Sequence, residues 1–325
     1  MPHAMPMPPR LSIVVPTTSD TTALEETLVS VLENRPAGCE IVAVLACKYG
    51  DPWNIRDEVR FVHAPPGAGL VSCINLGIAA SEGQTVHVLA AGWRATAGWT
   101  DAPLAILESG MAGAVVPLAV TDADRTRPVP TGVRYRRGGR RMGAAAVPMA
   151  PALEAGFWRA DVLDIAGGGF SLACGDDCAD ADMAVTLDRI GCPVALEESS
   201  VVVRGAARRP TGGFTAGLHA ERLFWRSVAG RPLMPALCLH ALEVLRHAVA
   251  RAPLGTVPML VGRLVALMQF GSYRQRYEQL RQLARLALAD TDEQPTIRID
   301  AAHSGAGRPA VAGRSAADFP LRRSA

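Results

Sequence analysis

Leu11–Asn34 reads LSIVVPTTSDTTALEETLVSVLEN and contains the first strand and the first helix of the chain. Its opening six residues are an apolar, β-branched run that ends at Pro16, which is typical of a buried strand. Thr21 or Thr22 can cap the helix that follows. The inward face of this helix is predicted to comprise Leu24, Leu28, Val31 and Leu32. A buried strand that leads through a short polar loop into an amphipathic helix is typical of α/β proteins.

The same alternation continues downstream. Further strands are predicted at 40–46, 59–63, 85–90 and 112–120, and helices at 69–83 and 99–109. Short loops between alternating strands and helices favour parallel βαβ units with right-handed crossovers. We therefore expect an α/β fold with a mostly parallel sheet that is flanked by helices.

The pattern changes after Thr121. The basic stretch RYRRGGRR at 134–141 has a central Gly-Gly pair and predicts a hairpin. A helix is predicted at 180–190, where Gly191 ends it, and a strand at 193–203.

The last third of the chain is helical in pattern. Residues from 217 to about 288 are rich in Leu, Ala and Arg, whereas the residues beyond them are rich in Gly, Ala, Arg and Ser without periodicity. The predicted organisation is a flexible N-terminus at 1–9, one α/β domain at 10–210, a helical extension at 211–288 and a disordered tail at 289–325.

Composition narrows the class of protein. Hydrophobic residues make up 49% of the chain, and the net charge of +2 gives no reason to expect a nucleic-acid partner. The seven cysteines are odd in number, which favours reduced thiols in a cytoplasmic protein, and Cys174, Cys178 and Cys192 fit no zinc spacing. We expect no secretory signal and no apolar stretch of about 18 residues, so the protein is predicted to be cytoplasmic, with a peripheral position at the inner membrane face left open.

The order of these segments, over about Leu11–Val203, resembles the family 2 glycosyltransferases of the GT-A fold. The opening strand and helix are similar to the start of that family. Further similar segments are GLVSCINLGIAASEG at Gly69–Gly83, AGW at Ala97–Trp99, GFWRADVLDIAGGGF at Gly156–Phe170 and ADADMAVTLDRIG at Ala179–Gly191. The resemblance implies a Rossmann-like domain of the nucleotide-diphospho-sugar transferase type at 10–210.

The resemblance also implies a reaction. Family members transfer a sugar from a nucleotide-sugar donor to a hydroxyl of a glycan or lipid-linked acceptor, with inversion, in the synthesis of cell-surface polysaccharides and glycoconjugates. A metal ion held by an Asp-x-Asp motif neutralises the leaving diphosphate. Here Ala90, Ala91 and Gly92 stand at that motif, and their side chains offer no oxygen to a hard cation. No metal or other cofactor is predicted, because the Mg²⁺ or Mn²⁺ site of the family is lost.

Two interpretations of this loss stay open. In the first, a metal-independent enzyme uses basic side chains, with Arg204, Arg208 and Arg94 beside the diphosphate and Pro16 and Thr17 as further donor contacts. In the second, the chain is a catalytically inactive relative that binds a sugar, a nucleotide or a partner protein. A third class, the sugar nucleotidyltransferases, would need a Gly-rich phosphate loop after the first strand, which this chain lacks.

The aspartates near 180 are the candidate catalytic residues. By resemblance, Asp180 matches the catalytic base and Asp182 the second acidic residue of the motif, whereas Ala179 replaces the usual Glu. Asp176 and Asp177 lie just before them, and Asp177 is assigned to the acceptor side. The structural alternative is that an Asp in the first turn caps the helix and interacts with its dipole.

Tryptophans complete the predicted acceptor side. Trp93 and Trp158 are the candidates, since aromatic faces pack against sugar rings. For Trp99 we favour a place in the core, and for His87 the role of a hydrogen-bonded core histidine.

The helical extension offers a second surface. The segments 234–250 and 253–270 are apolar and edged by Arg. Within 220–288, this pattern fits packing against the main domain, a homodimer contact or a peripheral contact with an anionic membrane.

Overall fold

The computed structural model describes residues 9–144, 147–205, 211–228 and 232–293. The strands are β1 Leu11–Thr17, β2 Cys39–Leu45, β3 Arg60–His63, β4 Thr85–Leu89, β5 Arg94–Ala95, β6 Ala114–Val120, β7 Val129–Pro130, β8 Gly132–Arg136, β9 Arg140–Ala144, β10 Ala150–Pro151, β11 Ala155–Arg159 and β12 Val194–Val203. The helices are α1 Thr21–Asn34, α2 Leu70–Ala80, α3 Asp101–Glu108, α4 Ala160–Ile165, α5 Gly175–Ile190, α6 Gly213–Val228, α7 Leu233–Ala250, α8 Thr256–Leu267 and α9 Phe270–Glu293.

One large sheet forms the centre of the protein, in the order β3-β2-β1-β4-β11-β6-β12-β5, with β7 paired to β6. The first four strands in this order are parallel, as predicted. The sheet as a whole is mixed, because β11 inserts between β4 and β6 and runs antiparallel to both. The α/β class is confirmed, and the main hydrophobic core lies around this sheet.

The first strand and helix explain how the core begins. All seven residues of β1 are buried, because β2 and β4 flank the strand and α1 and α2 pack on it. The cap of α1 is Asp20 rather than a threonine: its carboxylate accepts from the amide of Ala23 at 3.0 Å. Asp20 has the extended backbone that a cap requires, whereas Thr21 and Thr22 are already helical.

The hairpin predicted from the Gly-Gly pair is confirmed as β8 and β9, which pair antiparallel and form a small second sheet with β10. Gly139 has a φ of +90° in the turn. A Cβ at Gly139 would lie 2.7 Å from the Cβ of Phe224, so the turn needs glycine for both its conformation and its close approach to α6.

Helix α5 starts earlier than predicted. The expected start was at 180, but the helix runs from Gly175, so Asp176 and Asp177 occupy the first turn and Asp180 the second. The placement of Asp180 at a helix start is therefore wrong. Its side chain points inward from the second turn and is fully buried.

The helical extension packs on α5 and on itself. Helices α6 and α8 approach at two glycines: a Cβ at Gly217 would lie 2.0 Å from the carbonyl oxygen of Met259, and one at Gly262 would lie 2.0 Å from that of Phe214. This close approach holds the extension together as a compact layer.

Helix α7 corrects one sequence expectation. Its 18 residues are long and apolar enough to cross a membrane, by length and composition alone. The sequence analysis expected no apolar stretch of about 18 residues. The helix meets this criterion although it contains Glu243 and Arg246, which pair with each other at 2.7 Å.

The chain ends are only partly described. The predicted flexible segment at 1–9 falls outside the described residues except for its last residue. The predicted tail at 289–325 lies outside them from 294 onward, and α9 continues to Glu293, so its first five residues are helical. The domain boundary at 210 stays a prediction.

We predict that Asp182→Asn destabilises the protein strongly. The carboxylate of Asp182 is buried and accepts two hydrogen bonds from Arg226, at 2.8 and 2.7 Å. Removing its charge leaves a buried guanidinium without a counter-ion, at a cost of about 3–5 kcal/mol. Urea unfolding measures this loss, and Asp57→Asn, at an exposed position, is the control. Equal stability of the two variants would contradict the prediction.

The loss of stability in Asp182→Asn also depends on pH. Burial raises and Arg226 lowers the pKa of Asp182, and the result lies below the ordinary value of 3.8. A carboxylate whose pKa is lower in the folded protein than in the unfolded chain stabilises the fold at pH values above its unfolded pKa. That stability is lost as the pH falls through the pKa of the folded state. The difference between wild type and Asp182→Asn should therefore be constant at neutral pH and shrink below about pH 4.

Candidate functional site

The candidate site lies where the carboxyl ends of β1 and β4 meet. In sheets of this kind, ligands bind beyond the carboxyl ends of parallel strands. Ala91 donates its amide to the carbonyl of Pro16 at 3.2 Å, which places the residues after β4 beside the end of β1. Thr17 is 1% exposed, and its hydroxyl has no hydrogen-bond partner among the described residues. A buried hydroxyl without a partner at this edge is suited to a ligand.

The turn at Ala90, Ala91 and Gly92 is tied to α1. The amide of Gly92 donates to the carbonyl of Ala23 at 2.9 Å and to the hydroxyl of Thr27 at 2.8 Å, and Gly92 has a φ of +89°. These three residues carry no oxygen on their side chains. No group of three His, Cys, Asp or Glu in the described part of the chain could hold a metal ion. The residues present do not fit the cation of the resembled family, so no step is derived through one.

Arg204 lies next to this turn. It follows β12, and the residue after it, Gly205, packs so closely on the turn that a Cβ there would lie 2.5 Å from the carbonyl oxygen of Gly92. The amide of Arg204 donates to Val120 at 2.7 Å, and its side chain is exposed. A residue with a permanent positive charge therefore comes directly before the segment that packs on this turn.

The other predicted cations are placed differently. Arg94 lies on β5, opposite Val203, and its guanidinium pairs with Asp122. Arg208 falls outside the described residues. The donor role of Arg94 stays a prediction, and it would require Arg94 to exchange Asp122 for the ligand.

Asp176 links α5 to α2, which in turn contacts the end of β1. Its two carboxylate oxygens accept from the amides of Leu70 and Val71, both at 2.9 Å, so it caps α2 from a distant part of the chain. Cys73 of α2 contacts the carbonyl of Thr17 at 3.9 Å. Burial, with Asp176 nearby, raises the pKa of the Cys73 thiol to about 11. The first turn of α5 is therefore linked through α2 to the carboxyl end of β1.

Asp177 faces the helical extension rather than α2. It is half-buried, and one carboxylate oxygen accepts from the hydroxyl of Thr211 at 2.8 Å and lies 2.9 Å from Nδ1 of His219. It lines a cavity between the hairpin and the helical extension. Of the four aspartates at 176–182, Asp177 combines partial exposure with a position on a cavity wall.

The two aspartates assigned to catalysis are buried in ion pairs. Arg141 of the hairpin donates to both oxygens of Asp180 at 2.7 and 2.6 Å, and Arg226 holds Asp182 in the same way. A general base must reach the hydroxyl that it deprotonates. The catalytic roles of Asp180 and Asp182 stay predictions, and each would require its arginine to release an oxygen.

The tryptophans lie in the core. Trp93 is 7% exposed, and Trp158 is fully buried against Phe170 with the rings edge to face at 5.3 Å. Neither ring offers a free face in this structure, so their acceptor-side role stays a prediction that requires the core around them to open.

Trp99 and His87 are confirmed as core residues. Trp99 donates its indole N–H to Nε2 of His87 at 3.1 Å, and Nδ1 of His87 lies 3.0 Å from the carbonyl of Gly156. Burial lowers the pKa of His87 to about 3, so the imidazole is neutral.

The comparisons with known proteins concern the fold. No protein-family model matches the chain, and no curated protein matches it. Residues 1–349 of S. aureus TarS, in complex with UDP-GlcNAc, are similar over 86% of this chain and 92% of that chain, with 11% identity and a TM-score of 0.56. A second structure of TarS 1–349 covers the same shares, with 12% identity and a TM-score of 0.52.

A mannosyltransferase from Pyrobaculum calidifontis, PcManGT in complex with GDP-Man and Mn²⁺, is similar over 88% of each chain, with 18% identity and a TM-score of 0.49. At these identities the similarities show the fold alone. They confirm the predicted class, a Rossmann-like α/β domain of the glycosyltransferase type that is followed by helices.

We predict that Asp176→Ala weakens the contact between α5 and α2. The variant leaves the amides of Leu70 and Val71 without an acceptor, which costs about 1–2 kcal/mol as for the loss of a helix cap. Urea unfolding measures the change. The control is Asp101→Ala, an exposed aspartate in the first turn of α3, which should cost less than about 0.5 kcal/mol. An equal loss in both variants would refute the capping role.

Proposed function

We propose that this protein transfers a sugar from a nucleotide-sugar donor to a hydroxyl acceptor without a divalent cation. The observation that carries the proposal is the contact of the Arg204–Gly205 segment with Gly92, at the place where the resembled family has its metal-binding acidic motif. A guanidinium at this place can neutralise the leaving diphosphate through charge-assisted, bidentate hydrogen bonds.

The donor would lie against the ends of β1 and β4. Pro16 and Thr17 end β1 beside Ala91, and the buried hydroxyl of Thr17, which has no hydrogen-bond partner among the described residues, would reach the donor once the residues above it move. Arg208, four residues beyond Arg204, is proposed as a second phosphate contact. TarS binds UDP-GlcNAc in its structure, and the shared fold supports a donor of this class.

The acceptor hydroxyl must lose a proton to a carboxylate. Asp177 is the α5 carboxylate whose position best suits this task, since it is half-buried on a cavity wall beside the first turn. Asp180, which the resemblance assigns, could act only after Arg141 releases one of its oxygens. Rates of Asp177→Asn and Asp180→Asn with the same acceptor distinguish the two assignments.

A second candidate function is a catalytically inactive member of this fold that binds a sugar, a nucleotide or a partner protein. The burial of Asp180 and Asp182 in ion pairs and the loss of the acidic motif at Ala90–Gly92 favour it. Under the first function, we propose a place in the synthesis of cell-surface polysaccharides or glycoconjugates, in the cytoplasm or at the inner face of the membrane.

We predict that the protein binds UDP, GDP or their sugar conjugates equally well with and without Mn²⁺. Arg204→Ala should weaken binding about 10- to 100-fold, because it removes charge-assisted hydrogen bonds to phosphate. Calorimetric titration measures both effects. Arg10→Ala is the matched control, since Arg10 lies one residue before β1 at the opposite end of the sheet and pairs with Glu108. If no nucleotide binds, the proposed transferase function is refuted and the catalytically inactive alternative remains.

The helical extension supports a further part of the proposal, contact with a membrane. Helices α7 and α8 and the residues beside them expose large apolar side chains. Leu254, between the two helices, is 89% exposed, and Met268, directly after α8, is 86% exposed. Those within the helices are Leu233, Met234, Leu239, Leu242, Leu245, Val249, Val257, Leu260, Val261 and Leu264. Residues 211–293 contain ten arginines and six carboxylates, which favours anionic lipid headgroups as the partner of this surface.

We predict that the full chain floats with vesicles that contain anionic lipid at low salt. Leu245→Glu/Val249→Glu should abolish flotation, because it places charges on the exposed apolar face of α7. The matched control, Glu25→Gln/Glu26→Gln on α1, should leave it unchanged. A dimer in solution that the same double variant dissociates, without vesicle binding, would replace the membrane with a second copy of the chain.

A further inference from the structure

A cavity of about 300 Å³ lies between the β8–β9 hairpin, the first turn of α5 and helices α6 to α8. Basic side chains dominate its walls. They are Arg140, Arg141, Arg246, His247, Arg251 and Arg263. We call it the arginine cavity. These residues come from the hairpin and from two helices of the extension, so only the folded protein brings them together.

Several of these cations are held in fixed positions. Arg263 is 6% exposed and donates to Glu221 at 2.6 Å, while Arg251 donates to the carbonyl of Thr211 at 3.0 Å. Arg141 is fixed by its two bonds to Asp180. A set of guanidinium groups that is already oriented loses little conformational entropy when an anion arrives.

The balance of charge in the cavity is positive. Five guanidinium groups face four carboxylates, which are Asp177, Asp180, Glu221 and Glu243. His219 lies against one of these carboxylates, Asp177, at 2.9 Å. Burial, and then the charges of Arg263, Arg251 and Arg246, lower the pKa of His247 to about 4. The histidine is therefore neutral, and the cavity can accept additional negative charge.

We propose that the arginine cavity binds a phosphate group on the acceptor substrate. This inference rests on the proposed transferase function and names the class of acceptor. Arginine forks match phosphate oxygens in bidentate geometry, and a cavity of about 300 Å³ accommodates a phosphate with a small attached group.

The position of the cavity explains why the phosphate belongs to the acceptor. Asp177 lines the cavity, whereas the neighbouring Asp176 caps α2 at the donor edge of the sheet. The first turn of α5 thus lies between the two regions. A phosphate-bearing acceptor would hold its phosphate in the cavity and extend its hydroxyl past Asp177 to the sugar of the donor, where the hydroxyl oxygen bonds to the sugar, the nucleoside diphosphate leaves and Asp177 takes the proton.

The experiment measures binding of inorganic phosphate and of glycerol 3-phosphate to the full chain, by calorimetry at constant ionic strength. Arg140→Ala/Arg246→Ala should weaken both by about 10-fold or more, since it removes two cations from the wall. Arg60→Ala/Arg274→Ala, at exposed arginines outside the cavity, is the matched control and should change nothing. Glu243→Gln should strengthen binding, because it removes a carboxylate that competes for Arg140 and Arg246.

Vesicles with and without phosphatidic acid distinguish the source of the phosphate. A lipid-linked phosphate is identified if vesicles with phosphatidic acid compete with glycerol 3-phosphate, vesicles without it do not, and Arg140→Ala/Arg246→Ala abolishes the competition. Competition by neither vesicle identifies a soluble one.

The results distinguish failure of this inference from failure of the proposed transferase function. Phosphate binding that UDP displaces and that Arg204→Ala abolishes would overturn the inference, because the phosphate would then occupy the donor site. Equal affinities in the cavity variant and its control, or no phosphate binding, would overturn it as well. Phosphate binding that depends on Arg140 and Arg246, in a protein that binds no nucleotide, would refute the proposed transferase and leave the anion site standing.

Discussion

Helix α5 carries four aspartates within seven residues, and together they bind α2, the hairpin and two helices of the extension. Asp176 accepts from the amides of α2, Asp177 contacts α6, Asp180 pairs with the hairpin, and Asp182 pairs with α6 and lies near Arg276 of α9. A buried carboxylate is tolerated only with a counter-ion or donors. Charge pairing on one helix therefore fixes how the hairpin and the extension sit on the sheet.

The extension consequently does more than cover the domain. Its α6 supplies Arg226 to a buried aspartate, and α8 supplies Arg263 to Glu221, which His240 of α7 also contacts at 3.0 Å. Helices α7 and α8 place Arg246 and Arg263 on the wall of the arginine cavity and expose apolar side chains to solvent. The polar faces of these two helices are therefore directed at the sheet domain, and their apolar faces point outward.

Local patterns predicted much of the fold. The buried first strand and the hairpin at the Gly-Gly pair are features of short segments, and both predictions are confirmed. The interpretation of Ala90–Gly92 as a lost metal motif stays a prediction. The place of β11 in the sheet was missed, because strand order depends on contacts between distant segments. The early start of α5 was missed because Gly175 and the residues after it show no amphipathic period.

The candidate site was harder to predict than the fold. The sequence indicated aspartates, but not that Asp180 would meet Arg141, 39 residues away, or that Asp182 would meet Arg226, 44 residues away. The arginine cavity was equally hidden, since its cations are scattered between the hairpin and α8. Burial and pairing of a charge are long-range properties, and a motif reports only the residue type.

The turn at Gly92 limits which substitutions this part of the chain can accept. Its amide donates to α1, and the backbone of Gly205 packs against its carbonyl. A side chain added at Gly92 or Gly205 would meet a backbone that is already fastened on two sides. A new shape for this turn would require coordinated changes in the turn, in α1 and after β12, so single substitutions here should be poorly tolerated.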